Sequence, residues 1–203
     1  MPSPRSTGIM GGTFDPVHRG HLSIARSFLE SGRLTELWVL LTPHPPHKER
    51  QALSGYEDRL EMLKAAFSGM ERVRISDLET RLPRPSWTWR TLAHLRDEHP
   101  ERPFLLCIGE DSYRHFTHWK KWRRIVRHHA ILVAERPDAP AREVPEELKT
   151  RVHFVPHKPV EVSSTDIRRT LAEGGDVSPW LPEPVLAIIR SRKLYQTDDH
   201  VQP

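Results

Sequence analysis

The sequence is poor in cysteine and in long apolar runs. Its one cysteine, Cys107, can form no intrachain disulfide and excludes a zinc cluster built from several cysteines. No apolar run approaches the length of about 18 residues that a membrane-spanning helix needs. Residues 1–5 also lack the apolar core of a signal peptide. These absences predict a cytoplasmic protein with no membrane partner.

A strong excess of one charge is also absent. The chain has 31 Lys and Arg against 27 Asp and Glu, which leaves a formal charge of +4 on 203 residues. This scattered excess does not indicate a nucleic-acid-binding protein, and anionic small molecules explain it as well. With no internal repeat, we expect a single domain with a core over about residues 8–195 and a polar tail at 196–203. A homo-oligomer is compatible with the sequence.

Apolar runs of strand length alternate with segments of helical spacing. This alternation predicts an α/β fold, a Rossmann-like doubly wound parallel sheet of about five to six strands. We expect helices on both faces and a small C-terminal helical part. Ligands of such sheets bind at the carboxyl ends of the strands, where the strand order reverses. The strand-like runs are Ile9-Met10, Glu36–Leu41, Val73–Ile75, Phe104–Ile108, Ala130–Ala134 and Val152–Val155.

Local signals predict several helix boundaries. Ser54 with Glu57 resembles a capping box at the start of a helix. Gly32 is expected to end the first helix, and Gly174 to end a helix that runs from Ser163 to Ala172. The basic stretch from Trp119 to Arg127 is also expected to be helical.

The most informative stretch follows the first strand. It is Gly11-Gly12-Thr13-Phe14-Asp15-Pro16-Val17-His18-Arg19-Gly20-His21. The glycines let the backbone approach a bulky anion, and a helix starting just after them directs its amide groups at that anion. His18 and His21 lie on its first turn, where they can stabilise negative charge on a phosphate undergoing attack. Asp15 is expected to cap loop amides.

A second anion site is predicted at the start of a later helix. Hydroxyls and free amides, with an arginine one turn later, form an anion cradle at Ser163-Ser164-Thr165-Asp166-Ile167-Arg168. The Gly109-Glu110-Asp111 loop follows another strand. It borders the same crevice as Gly11-Gly12 if the first and fourth strands are neighbours.

Lys48 and several histidines offer two further kinds of chemistry. His47-Lys48 follow the rigid Pro45-Pro46 pair, so Lys48 can reach phosphates as a mobile point charge. Alternatively, several histidines could act as ligands of a zinc ion. Neither a second cysteine nor an H-E-x-x-H motif supports zinc, so we predict no protein-bound metal. The zinc candidates are His18, His21, His44, His47, His128 and His129.

With these motifs the chain resembles the nucleotidyltransferases whose signatures are G-G-[TS]-F-D-P-x-H-x-G-H and I-S-S-T-x-I-R. Within them it is similar to the bacterial nicotinate-nucleotide adenylyltransferases, from about Gly8 to Tyr195. The resemblance implies adenylyl transfer from ATP to nicotinate mononucleotide, giving deamido-NAD and pyrophosphate in NAD biosynthesis, with Mg²⁺ bridging phosphates. The features that narrow it are Pro45-Pro46-His47-Lys48, Ile108-Gly109-Glu110-Asp111-Ser112 and Phe116-Thr117-His118-Trp119.

The resemblance also implies a role for each site residue. The catalytic residues around the phosphates would be His18, His21, Lys48 and Arg168. The ATP site would comprise Gly11, Gly12, Thr13, Phe14, His18, His21, Gly109, Asp111, Ser163, Ser164, Thr165 and Arg168. The nicotinate mononucleotide site would comprise Thr42, His47, Lys48, Thr88, Asp111 and Trp119. Trp119 would stack on the pyridine ring, and Thr88 would face the nicotinate carboxylate.

One departure from the family leaves alternatives open. Thr42 and His44 occupy a segment where such proteins often have asparagine, so the choice between acid and amide would depend on Thr42, His44 or water. The alternatives are an adenylyltransferase for nicotinamide mononucleotide or phosphopantetheine, a cytidylyltransferase, and a nucleic-acid-binding module that uses the basic stretch from Trp119.

Overall fold

The computed structural model describes residues 6–43, 54–136 and 144–196. In this part of the chain, one sheet is surrounded by α-helices and short 3-10 turns. The strands are β1 (Thr7–Gly12), β2 (Glu36–Leu41), β3 (Val73–Ser76), β4 (Phe104–Gly109), β5 (Ile131–Glu135) and β6 (Val152–Pro156). The helices are α1 (Arg19–Glu30), α2 (Tyr56–Phe67), α3 (Thr88–Glu98), α4 (Glu110–Arg114), α5 (Trp122–His128), α6 (Ser164–Ala172) and α7 (Glu183–Ser191).

The sheet is parallel throughout, in the order β3-β2-β1-β4-β5-β6. The chain builds outward from β1 to β3, then returns to the centre and builds outward again from β4 to β6. β1 and β4 are therefore neighbours, with Thr7 beside Phe104 and Ile9 beside Leu106. The reversal between them is the point where open α/β sheets bind ligands. The predicted fold class is confirmed.

Two apolar clusters cover the two faces of the sheet. One packs α1, α2, α6 and α7 against side chains such as Val39 and Cys107. The other packs α3, α4 and α5 against side chains such as Leu40 and Leu106. Neighbouring residues of one strand belong to different clusters because successive side chains of a strand point to opposite faces. Among the described residues, no helix has the length and apolar character to cross a bilayer.

The predicted capping box at Ser54 is wrong. Helix α2 begins at Tyr56, after Gly55, and no side chain caps it. The backbone of Ser54 has other partners: its N–H donates to Oδ2 of Asp15 at 3.4 Å, and its carbonyl accepts from Nε of Arg59 at 3.1 Å. The bond to Asp15 is long-range in the sequence, so local sequence could not indicate that Ser54 lies outside the capping position.

The prediction of a continuous basic helix from Trp119 to Arg127 is also wrong. Trp119 is extended, Lys121 is left-handed with φ of 56°, and α5 starts only at Trp122. The ammonium groups of Lys120 and Lys121 lie 4.7 and 4.1 Å from the ring centres of Trp87 and Trp89. Such cation–π contacts favour a bend over a straight helix here. The continuous basic helix that the nucleic-acid alternative invokes is therefore interrupted, and only its part from Trp122 to His128 is helical.

Candidate active site

The start of α1 places two imidazoles side by side. His18 immediately precedes the helix in an extended conformation, and its N–H donates to Nδ1 of His21 at 3.2 Å. The two ring centres are 3.8 Å apart. Because Nδ1 of His21 accepts this bond, the proton of the neutral ring is on Nε2, which makes Nε2 a donor for an anion.

His18 is buried and uncharged near neutral pH. Only 6% of it is exposed, and desolvation lowers its pKa to about 4. A Cβ on Gly20 would lie 3.0 Å from the His18 ring, so any larger residue at this position would require the ring to shift by a few tenths of an ångström. Nδ1 of His18 is buried and has no hydrogen-bond partner among the described residues.

The start of α6 is attached to the loop that leads into α1. Oγ of Ser163 caps α6 by accepting from the Asp166 N–H at 3.1 Å. Oγ of Ser164 donates to the carbonyl of Pro16 at 3.0 Å, and Nη1 of Arg168 donates to the carbonyl of Asp15 at 2.7 Å. Two helix N-termini, each favourable to anions, therefore converge at one place.

Between these helix starts lies a cavity of about 870 Å³, including its open mouth, which we term the histidine cavity. It contains the predicted residues His18, His21, Gly109, Asp111, Ser163, Ser164 and Thr165. The rest of its wall includes Ile24, Ala134, Arg136, His157 and Val162. The structure thus brings the two histidines of the first predicted anion site, the second predicted anion site and the Gly109 loop into one cavity. Arg168 is not part of this wall, and instead holds α6 to Asp15.

Sequence reasoning missed Arg136, which brings a guanidinium to the histidine cavity. The backbone N–H of Arg136 donates to Oε2 of buried Glu110 at 2.8 Å, and Nη2 of its guanidinium lies 3.2 Å from Oδ2 of Asp111. The available signal was its position directly after β5, at the carboxyl end of the strand next to β4. His157 was also missed; its Nδ1 lies 3.1 Å from Oγ of Ser27, and burial lowers its pKa.

A second cavity of about 870 Å³ lies on the opposite face of the sheet, and we term it the tryptophan cavity. It contains the predicted residues Gly11, Gly12, Thr13, Thr42, Thr88 and Trp119. Its wall also includes Ile9, Leu40, Glu79, Ser86, Trp87, Thr91, Ile108 and Lys120. Gly11, Gly12 and Thr13 were expected beside ATP, but the structure places them with the residues expected around the mononucleotide. Asp111 was expected at both ligands and lies in the histidine cavity.

Phe14 lies in neither wall. It is 3% exposed, and its ring centre is 4.9 Å from that of His21. A Cβ on Gly12 would lie 2.8 Å from the Phe14 ring, so Gly12 makes room for this packing. Phe14 therefore packs against His21 outside both cavities, so its ring is not placed to contact a nucleotide.

The buried side chains of Arg59 and Asp15 and the half-buried side chain of Tyr195 fix the loops around the cavities. Arg59 donates to the carbonyls of Thr13 at 2.9 Å and Thr42 at 3.0 Å. The Tyr195 hydroxyl donates to Oδ1 of Asp15 at 2.7 Å. Asp15 thus binds a loop amide, as predicted, and also the C-terminal segment. Burial lowers the pKa of Arg59 and raises that of Tyr195.

The remaining predicted residues are far from the site or outside the described part. His129 contacts the carbonyl of Phe104, at the amino end of β4, whereas His18 lies beyond the carboxyl ends of the strands. His128 and His129 therefore share no zinc site with His18 and His21. No group of three potential metal ligands occurs in the described ranges. His44, His47 and Lys48 lie outside the described residues, as do most of the two proline-rich connections.

The fold and the histidine cavity define the class of protein. A parallel sheet with anion-binding helix starts at its switch point is typical of nucleotide-binding proteins. A family model described as cytidylyltransferase-like matches residues 9–170, and the chain belongs to this family.

Within the family, similar proteins carry one name. A probable nicotinate-nucleotide adenylyltransferase of Christiangramia forsetii is 38% identical, over 95% of this chain and 99% of the relative. A probable nicotinate-nucleotide adenylyltransferase of Bacteroides fragilis is 41% identical, over 95% of this chain and 92% of the relative. The Plasmodium falciparum nicotinic acid mononucleotide adenylyltransferase complexed with NaAD has the same fold, with a TM-score of 0.79, 18% identity, and coverage of 94% and 97%. The resemblance predicted from the motifs is confirmed.

Proposed function

We propose that the protein transfers the adenylyl group of ATP to nicotinate mononucleotide, releasing pyrophosphate and forming deamido-NAD in NAD biosynthesis. The observation that carries the proposal is the convergence of α1 and α6, with His18 and His21, on one cavity at the switch point. The names of the bacterial relatives and the NaAD complex of the Plasmodium protein support this substrate pair. A cytoplasmic setting, expected from the single cysteine, is part of the same proposal.

The chemistry is an in-line displacement at phosphorus. A phosphate oxygen of the mononucleotide attacks the α-phosphorus of ATP, and the bond from this phosphorus to the oxygen shared with the β-phosphate breaks. Pyrophosphate takes the electron pair, and no covalent enzyme intermediate forms. Catalysis then depends on positioning and on stabilising negative charge.

The histidine cavity would hold the ATP phosphates. Nε2 of His21 donates to them, and the first amides of α1 and α6 contribute the positive ends of the helix dipoles. Arg136 adds a formal positive charge to the same wall. Arg168 keeps α6 in register with α1 through the Asp15 carbonyl. Lys48, expected to guide phosphates, belongs to the proposal on sequence grounds.

Mg²⁺ enters the proposal as a partner of the ATP phosphates. Asp111 and Glu110 are the carboxylates of the histidine cavity, and both already interact with Arg136. These residues fit an ion held mainly by phosphate oxygens and water, since Mg²⁺ usually retains several waters. The bound ion would neutralise phosphate charge.

The tryptophan cavity would hold the pyridine ring of the mononucleotide. Trp119 supplies an aromatic face for stacking. Helix α3 starts at Thr88 in the same wall, so its N-terminal amides and dipole favour a carboxylate there. Such a pocket can bind an acid without an arginine.

Pyrophosphate release from ATP with a panel of acceptors tests the proposal. We expect the fastest release with nicotinate mononucleotide, ahead of nicotinamide mononucleotide and phosphopantetheine. His21→Ala should lower kcat by roughly 10²–10³-fold, the cost of removing one donor to developing charge. His94→Ala, on α3 beside Glu98, is the control and should keep wild-type turnover. Faster turnover of the amide, or of another acceptor, would refute the assignment.

A further inference from the structure

A buried carboxyl group lies in the wall of the tryptophan cavity. Glu79 follows β3 in the 3-10 turn from Leu78 to Arg81, and 7% of it is exposed. Its Oε1 accepts from Oγ1 of Thr91 at 2.8 Å. Its Oε2 is buried and has no hydrogen-bond partner among the described residues. A buried polar atom of this kind carries a desolvation cost unless a ligand pairs with it.

The surroundings of Glu79 favour its neutral form. Burial raises its pKa, and the hydroxyls of Thr91, Thr42 and Ser86 reduce this effect without cancelling it. Tyr56, the first residue of α2, interacts electrostatically with this carboxyl group: burial raises the pKa of the Tyr56 hydroxyl to about 12, with Asp77, Glu57 and Glu79 adding to the shift. The cation in this wall is Lys120, whose ammonium group lies against the Trp87 ring.

The proposed substrate would bring a second carboxylate into this cavity. Two carboxylates that share a site cannot both be ionised without a large cost, so one of them takes a proton. We propose that Glu79 is a specificity residue, and that its unpaired Oε2 carries a proton which it donates to the ring carboxylate of the acid mononucleotide. This inference rests on the proposed function.

The inference gives acid and amide opposite responses to pH. Protonated Glu79 donates to the nicotinate carboxylate, whereas ionised Glu79 repels it. An amide substituent has an NH₂ group that can donate to ionised Glu79. Rising pH should therefore disfavour the acid relative to the amide. The phosphate of each mononucleotide also titrates, at about pH 6, but it does so in both substrates and cancels in their ratio.

The test is the ratio of kcat/KM for nicotinate mononucleotide to kcat/KM for nicotinamide mononucleotide, measured from pH 6 to 9. In the wild type this ratio should fall by up to about tenfold per pH unit above the pKa of Glu79. In Glu79→Gln, which has the same shape but no titrating proton, the ratio should stay level. Glu71→Gln, at an exposed position, should retain the wild-type slope.

Each outcome has a distinct meaning. A level ratio in the wild type, with nicotinate mononucleotide still used, overturns the role of Glu79 and leaves the proposed function standing. Absence of pyrophosphate release with either mononucleotide refutes the proposed function itself. A Glu79→Gln variant whose slope equals that of the wild type also overturns the inference.

A second measurement needs no variant at all. Calorimetric binding of each mononucleotide to the wild type at pH 8, in buffers of different ionisation enthalpy, counts the protons taken up. We expect up to about one proton with the acid and none with the amide. Equal uptake with the two ligands would overturn the inference even if Glu79→Gln failed to fold.

Discussion

At the scale of single residues, His18 is a buried imidazole that carries no charge near neutral pH. Its ring is packed between Gly20 and His21, and desolvation keeps it neutral at physiological pH. A neutral imidazole still offers an N–H, and the helix dipole supplies the positive potential.

The low pKa of His18 makes a prediction about stability. In the unfolded chain the ring would titrate near the ordinary histidine pKa of 6.5, whereas in the folded protein its pKa is about 4. Because the unfolded state takes up the proton first, this contribution to stability is complete above pH 6.5 and is lost as the pH falls to 4. The loss is roughly 3 kcal/mol of unfolding free energy.

His18→Gln should remove this loss. Chemical denaturation between pH 8 and pH 4 should show the wild type losing roughly 3 kcal/mol more than the variant. Other buried histidines with lowered pKa, such as His129 and His157, affect both proteins equally. Parallel pH profiles for the two proteins would contradict the burial of an uncharged His18.

Some individual site residues could be identified from the sequence, and others could not. His18 and His21 were identifiable because their spacing follows a glycine pair and a strand. Glu79 and Arg136 are single charged residues in polar stretches, where a solvated surface position is the ordinary expectation. Only tertiary contacts bury Glu79 under α3 and place Arg136 beside Glu110. Sequence alone therefore could not separate them from surface residues.

At the scale of elements, the loop between β1 and α1 is held by segments distant in sequence. The chain after β1 is joined to α2 through Arg59, to α6 through Arg168, and to the C-terminal segment through Tyr195. Arg192 adds ion pairs to Asp58 and Glu61, which fasten that segment to α2. The helices themselves were predictable from periodicity, but these connections depend on the packed arrangement.

Tyr195→Phe tests whether the C-terminal segment supports the loop. The change removes a hydrogen bond to the buried Asp15 carboxyl and should lower the unfolding free energy by about 1.5–3 kcal/mol. Tyr56→Phe is the matched control, because the Tyr56 hydroxyl is buried without a partner among the described residues. Denaturant titration should show a change within about 0.5 kcal/mol for this control. Equal losses of unfolding free energy in the two variants would mean that the hydrogen bond from Tyr195 to Asp15 adds no net stability.

At the scale of the whole molecule, the sheet separates the tryptophan cavity from the histidine cavity. Ile108 lines the tryptophan cavity and the next residue, Gly109, lines the histidine cavity. This division follows from the two-residue period of a strand, and both cavities lie toward the carboxyl ends of β1 and β4. The alternation of strands and helices predicted the crevice. It could not predict that Gly11 and Thr13 line the opposite side from His18, because the backbone bends between them at Phe14, whose φ is 48°.

Separate cavities predict separable effects on the two substrates. Trp119→Ala removes the aromatic face from one cavity and should raise the KM for nicotinate mononucleotide by about 5–100-fold, as expected for 1–3 kcal/mol of stacking. The KM for ATP should stay within about twofold. Arg136→Ala alters the other cavity and should show the reverse, raising mainly the KM for ATP.

Comparing Trp119→Ala with Arg136→Ala distinguishes the loss of a local substrate contact from a general disturbance of the active site. Either variant could lower kcat through a small displacement of the reacting groups, but only a local contact gives opposite patterns of KM in two variants. Steady-state kinetics with each substrate varied in turn provides the four KM values needed. If Trp119→Ala raised both KM values equally, Trp119 would be a packing residue, and the pyridine ring would have to bind elsewhere than in the tryptophan cavity.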